Sequence, residues 1–178
     1  MDVSQLVQLV APPEAPAPVD WVDVEGRLGT RLPVDYKLLI ETYGQGRFFG
    51  DLAIVGPDRM AELRSDAIAD TVRNHAADGP YRCLARTSPG VDVDAAIGVV
   101  ADRYLLWGGG IDGGSGFWRV SADEDPDRWP VVYCESAFID YDPAGLLHYL
   151  VALFSGDLES SVFPIGGSRY EGPAFDTR

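Results

Sequence analysis

The links between the apolar stretches of the second half constrain this chain more than any other feature. Residues 97–101 and 104–107 are β-branched or aromatic and are separated only by Asp102 and Arg103. The next such stretch, 117–120, follows after the glycine-rich run 108–116. Parallel neighbours need a crossover of about a dozen residues, usually a helix. Links this short or this rich in glycine instead close antiparallel hairpins. With 48–55, 81–85 and 131–135, which are also apolar and bounded by turn residues, the pattern predicts a mainly antiparallel sheet.

Helix punctuation frames these strands. Asp20 offers an N-cap ahead of Trp21, Val24 and Leu28, and Gly29 stops the turn. Pro33 suits the first position of a second helix, with Tyr36, Leu39, Ile40 and Tyr43 inward and Gly44 at its end. A third helix is predicted from Pro57 to about Ala77, with Met60, Leu63, Ala67, Ile68 and Val72 inward. In the last helix Asp142 caps, Pro143 opens, Leu147, Leu150, Val151 and Phe154 form the buried face, and Gly156 closes. Helices, then mainly strands, then a terminal helix predict an α+β fold: one domain, an antiparallel sheet packed with helices. Residues 1–19, with their APPEAPAP sequence, are expected to form an extended proline-rich arm without a helix, and 166–178 a C-terminal tail.

Composition sets the functional limits. A chain of 178 residues fits one domain with a sizeable core. Its 28 acidic residues against 14 basic ones give a formal charge of −14. Such a surface repels phosphate backbones, which argues against nucleic-acid binding, and it attracts basic partners, although acidity also serves solubility alone. Cys83 and Cys134 lie in separate strand-like stretches and read as reduced core residues. The first residues carry no basic, export-type segment and no run approaches about 18 apolar residues, so the expectation is a cytoplasmic protein without a membrane span.

Motifs that would carry chemistry fail on context. Gly108-Gly109-Gly110-Ile111-Asp112-Gly113 matches G-x-G-x-x-G in form, but a strand follows it where a dinucleotide fingerprint needs a helix N-terminus. It reads as a flexible hairpin loop in which glycine supplies positive φ. A calcium loop begun at Asp123 would need Gly at its sixth place and Glu at its twelfth, where Arg128 and Cys134 stand. His75 and His148 accompany no nucleophile motif, and the pair Asp92 and Asp94 is the kind that arises by chance among so many acids. No catalytic residue, cofactor or metal is therefore expected, and the chain is read as non-enzymatic.

Charge placement is the informative feature. Between Ser88 and Asp142 stand eleven acids and three arginines, a net −8 in under a third of the chain. Trp107, Trp118, Trp129 and Tyr133 are interleaved with them. Acidic loops around aromatic anchors suit an interface for a basic protein, although aromatics in such a sheet also serve as core. The expected contacts are the loops 108–116 and 121–130, with Asp112, Asp123, Glu124, Asp125 and Asp127 as electrostatic contacts and Trp118 as the anchor.

The run Trp21-x-x-Val24-Glu25-x-x-Leu28-Gly29-x-x-Leu32-Pro33-x-Asp35-Tyr36-Lys37-x-Leu39-Ile40-x-x-Tyr43-Gly44-x-Gly46 is similar to the opening signature of the SMI1/KNR4 (SUKH) superfamily. Leu105-Leu106-Trp107-Gly108, Phe117-Trp118, Asp127-x-Trp129-Pro130-Val131-Val132 and a final helix before Phe163-Pro164 follow in that family's order, so the resemblance spans residues 20–165. It implies an α+β fold and a protein-binding role. Bacterial members are commonly immunity proteins that neutralise a cognate polymorphic toxin, often a nuclease, and fungal members act in cell-wall regulation. The resemblance thus implies a basic toxin as partner and inhibition by occlusion of its active site. The alternative is a regulatory or scaffold protein linked to cell-wall or envelope biosynthesis. The family's motif residues Trp21, Leu32, Pro33, Tyr36, Gly44 and Gly46 are expected to determine the fold.

Overall fold

A computed structural model describes residues 2–63, 82–83, 104–135, 138–158, 160, 162–163 and 174–177. In chain order the elements are α1 (Val3–Leu9), α2 (Trp21–Leu28), α3 (Val34–Tyr43), β1 (Gly46–Phe48), β2 (Leu52–Ile54), α4 (Pro57–Glu62), β3 (Arg82–Cys83), β4 (Tyr104–Gly109), β5 (Ser115–Arg119), β6 (Val131–Glu135), β7 (Phe138–Asp142), α5 (Leu146–Ser155) and β8 (Phe175–Asp176). A 3-10 turn, Pro126–Arg128, sits between β5 and β6. The strands form one sheet in the order β3-β7-β6-β5-β4-β2-β1-β8. All described neighbours pair antiparallel except β3 and β7, which are parallel. The fold is α+β with a mainly antiparallel sheet packed with helices.

The sheet buries side chains on both faces. Trp107, Trp118, Val131, Tyr133 and the buried residues of α1, α3 and α5 form the larger core, while Tyr104, Phe117, Val132, Cys134 and Ile139 form a smaller cluster. Neighbours along β5 and β6 divide between the two clusters, as the two-residue period of a strand requires. Cys134 is a buried free thiol, pushed up to about 12 by burial.

Several elements differ from the sequence expectation for physical reasons. Residues 1–19 are not wholly an arm: Val3–Leu9 is a helix, capped by Asp2 and Gln5 in a reciprocal capping box, with Leu6 buried. The prolines begin only after this helix ends, so they do not forbid it. The tail likewise contributes β8, whose Phe175 packs among Tyr43 and Phe48. The stretch 48–55 is a hairpin and not one strand, because Phe49 and Gly50 both take positive φ and reverse the chain. The helix begun at Pro57 ends at Glu62, where Leu63 turns extended. The predicted inward positions Ala67, Ile68 and Val72, the strand at 97–101 and His75 lie outside the described residues.

The helix punctuation around α2 and α3 serves the fold. Asp20 accepts from the Val22 and Asp23 amides at 3.1 Å each, and Gly29 ends α2 at φ 68°. Tyr36 is fully buried and donates to the Val55 carbonyl at 2.7 Å. Glu25 ties the two helices together through Lys37 and the Leu32 amide.

Candidate functional site

The two loops expected to contact a partner lie at opposite ends of the sheet. The turn after β4 holds Asp112, the chain then returns along β5, and only the following link carries Asp123, Glu124, Asp125 and Asp127. Five residues of strand separate the two, a span of about 17 Å. Asp112 therefore stands at one end and the other four expected contact acids at the other.

At the β5–β6 end the acids are partly spent on the fold. Asp125 caps the 3-10 turn by accepting from the Asp127 amide at 3.3 Å and reaches Arg31 at 3.4 Å. Asp127 accepts from the Val34 amide at 2.6 Å and so caps α3, whose own N-cap, Pro33, offers no side-chain bond. Asp123 and Glu124 remain exposed.

At the other end Asp112 has company that the sequence reading did not assign to it. Asp51, from the β1–β2 turn, accepts from the Ile111 amide at 3.1 Å. Glu135 ends β6 just beyond the Cys134–Ser115 pair, beside the Gly110–Gly114 turn. Burial, then the charges of Asp112 and Asp51, push its carboxyl above the usual range. Among the described residues no cationic side chain pairs with Asp51, Asp112 or Glu135. Two large apolar side chains stand exposed beside them, Ile111 at 65% and Phe138, the register partner of Glu135, at 39%.

Trp118 is not a surface anchor. It has no exposed surface and meets Tyr36 of α3 edge-on at 5.4 Å. Trp107, Trp129 and Tyr133 are buried as well. Strands β4, β5 and β6 are central in the sheet and covered on both faces, so their aromatics fill the core. The glycines of this region answer to that packing. A Cβ on Gly116 would lie 2.4 Å from Trp107 Cζ2, and one on Gly114 would strike the Tyr133 ring at 2.7 Å. Within the loop positive φ is needed at Gly113 alone among the described glycines, so close approach, more than conformational freedom, explains the run. A strand follows it, as the rejection of a dinucleotide fingerprint requires.

Elsewhere, His148 Nδ1 lies 2.6 Å from Asp142 Oδ2, and Asp142 also accepts from the Ala144 amide at 2.8 Å. Asp142 thus closes the turn into α5 and does not cap the helix as the sequence suggested; Gly145 is the N-cap residue. Asp140, also buried, accepts from Tyr149 at 3.0 Å and from Ser160 at 2.5 Å, and burial pushes its carboxyl up. A cavity of about 570 Å³ opens between the proline segment and α2–α3, walled by Glu14, Pro16, Val19, Asp23 and Tyr43. Arg27 in its lining is bonded to Asp23 at 2.9 Å and Asp58 at 2.5 Å. Among the described residues no cluster of three metal-ligating side chains occurs, and no helix is long and apolar enough to cross a membrane.

What this geometry defines is a class: an α+β domain with a mainly antiparallel sheet, a core that is mostly apolar and aromatic, and carboxylates at the sheet ends. No protein-family model, curated protein or solved structure matches this chain.

Proposed function

We propose that this chain is a non-enzymatic protein-binding module of the immunity type, which neutralises a cognate basic, nuclease-type toxin by occluding its active site. The observation that carries the reading is a set of carboxylates at one end of the sheet, Asp51 and Asp112 in adjoining turns and Glu135 at the end of β6, without a described cation to balance them. Asp112 and Asp51 repel the charge on Glu135, and a basic surface relieves that repulsion on docking. An acidic surface also mimics the charge of a nucleic-acid substrate, which directs it to a nuclease cleft. The similarity of residues 20–165 to the SMI1/KNR4 (SUKH) superfamily supports the same reading, as does the net charge of −14.

Co-expression with the protein domain encoded next to it tests the reading. Restored growth together with co-purification of the two chains is the expected result. Failure of both overturns immunity and leaves the regulatory role in envelope biosynthesis as the reading to pursue.

A further inference from the structure

We infer that the partner's contact is made at the Asp112 end of the sheet, where a basic side chain, arginine above all, enters between Asp51, Asp112 and Glu135 while apolar neighbours cover Ile111 and Phe138. The inference rests on the protein-binding reading above and says which surface serves it.

Three independent features meet at this end. The first is the carboxylate set: Asp51 is fixed at the turn by the Ile111 amide at 3.1 Å, Asp112 stands in the same turn, and Glu135 ends the strand alongside. A planar guanidinium carries five donors and suits several carboxylates at once better than an ammonium does. The second is Tyr133. Its side chain is fully buried, and its hydroxyl reaches the Gly110–Gly114 turn, 2.5 Å from where a Gly110 Cβ would sit, with Asp51 Oδ1 3.4 Å from the same point. Among the described residues that hydroxyl makes no hydrogen bond of good geometry: the Gly110 amide lies beside it but donates to the Gly114 carbonyl at 3.0 Å. A buried hydroxyl left unpaired is costly, and a bound group or its water is a common reason for one. The third is apolar exposure: Ile111 and Phe138 flank the carboxylates, and apolar side chains ringed by charge mark contact surfaces.

The opposite end lacks this combination. There Asp125 and Asp127 are engaged by Arg31 and the Val34 amide. Asp123 and Glu124 are exposed there, but among the described residues only the Asp112 end joins its carboxylates to a buried hydroxyl without a hydrogen bond and to exposed apolar groups.

The test is an NMR titration of the full chain with a six-residue peptide of alternating arginine and leucine, with a glutamate–leucine peptide as control. The largest shifts are expected at Ile111, Asp112, Glu135 and Phe138, and the double variant Asp112→Asn, Glu135→Gln should bind about five- to tenfold more weakly with a urea midpoint no lower than that of the wild type. Shifts centred on Asp123–Asp127, or wild-type affinity in the double variant, overturn the inference. Co-purification separates this failure from failure of the function. If the double variant captures the neighbouring-gene product as well as the wild type does, the surface is wrong and the function stands. If neither captures it, the function is wrong and the peptide titration alone decides the surface.

Discussion

The carboxylate of Asp35, in the first turn of α3, caps the start of α5, where the Leu146 and Leu147 amides donate to its Oδ2 at 2.5 and 3.2 Å. Asp127 in turn caps α3 through the Val34 amide. One link therefore fixes α3 and α3 fixes α5, each by a carboxylate placed at the positive end of a helix. Asp35 is half-buried with its Oδ1 enclosed, and desolvation pushes its carboxyl up although the two amides pull it down.

Replacing Asp35 should loosen α5. Asp35→Ala is expected to cost about 1–2 kcal/mol in urea unfolding, and Asp35→Asn, which keeps an acceptor, distinctly less. Equal losses in the two variants would show that charge rather than the hydrogen bonds holds the cap.

Mild acid should stabilise this protein. Asp35, Glu135 and Asp140 all have carboxyls raised in the folded state, chiefly by burial. Each binds its proton more tightly folded than unfolded. Its contribution is therefore complete below the ordinary carboxylate range and is lost as pH rises through the raised folded value. Glu25, held low by Lys37 and the Leu32 amide despite its burial, acts in the opposite sense, and its contribution is lost only as pH falls through its lowered value. Urea midpoints should therefore rise as pH is lowered from neutrality toward the ordinary carboxylate range of about 4, and rise less in Asp140→Asn. A flat or falling curve, or an unchanged slope in Asp140→Asn, is the contrary outcome.

Trp118 should behave as core and not as a contact. Trp118→Ala is expected to cost about 3–5 kcal/mol because its ring packs on Tyr36 with no exposed surface. Denaturant unfolding reads this directly. A stable Trp118→Ala protein that had lost only partner binding would contradict its placement.

Gly116 should resist even one methyl group. Its Cβ would enter the Trp107 ring, so Gly116→Ala is expected to cost about 1–3 kcal/mol and to alter Trp107 fluorescence. Wild-type stability in that variant would mean that Trp107 moves aside freely.

Sequence punctuation revealed the elements whose signals are local. Asp20 and Gly29 bound α2, 131–135 is a strand, and the glycine run closes the β4–β5 hairpin. Elements whose cause is tertiary were hidden. Strand β7 carries Asp140 and Asp142, acids that look like a loop until Tyr149, Ser160 and His148 satisfy them inside the fold. Strand β8 is short and owes its place to pairing with β1. The cap of α5 comes from Asp35 in a distant helix, so Asp142, the nearest local candidate, misled. For the site, the acids themselves were plain but their grouping was not. Successive links of an antiparallel sheet fall at alternate ends, which parts Asp112 from Asp123–Asp127 and joins it to the end of β6 at Glu135. Asp51 had no such signal, since the turn that carries it depends on the positive φ of Phe49.

The most direct test of the account is the association rate between this chain and the protein domain encoded beside it, followed from low to high salt. An acidic surface that steers a basic partner predicts a rate that falls steeply with ionic strength while dissociation changes little. Association that ignores salt would contradict electrostatic recognition, and the absence of association at any salt would contradict the proposed function itself.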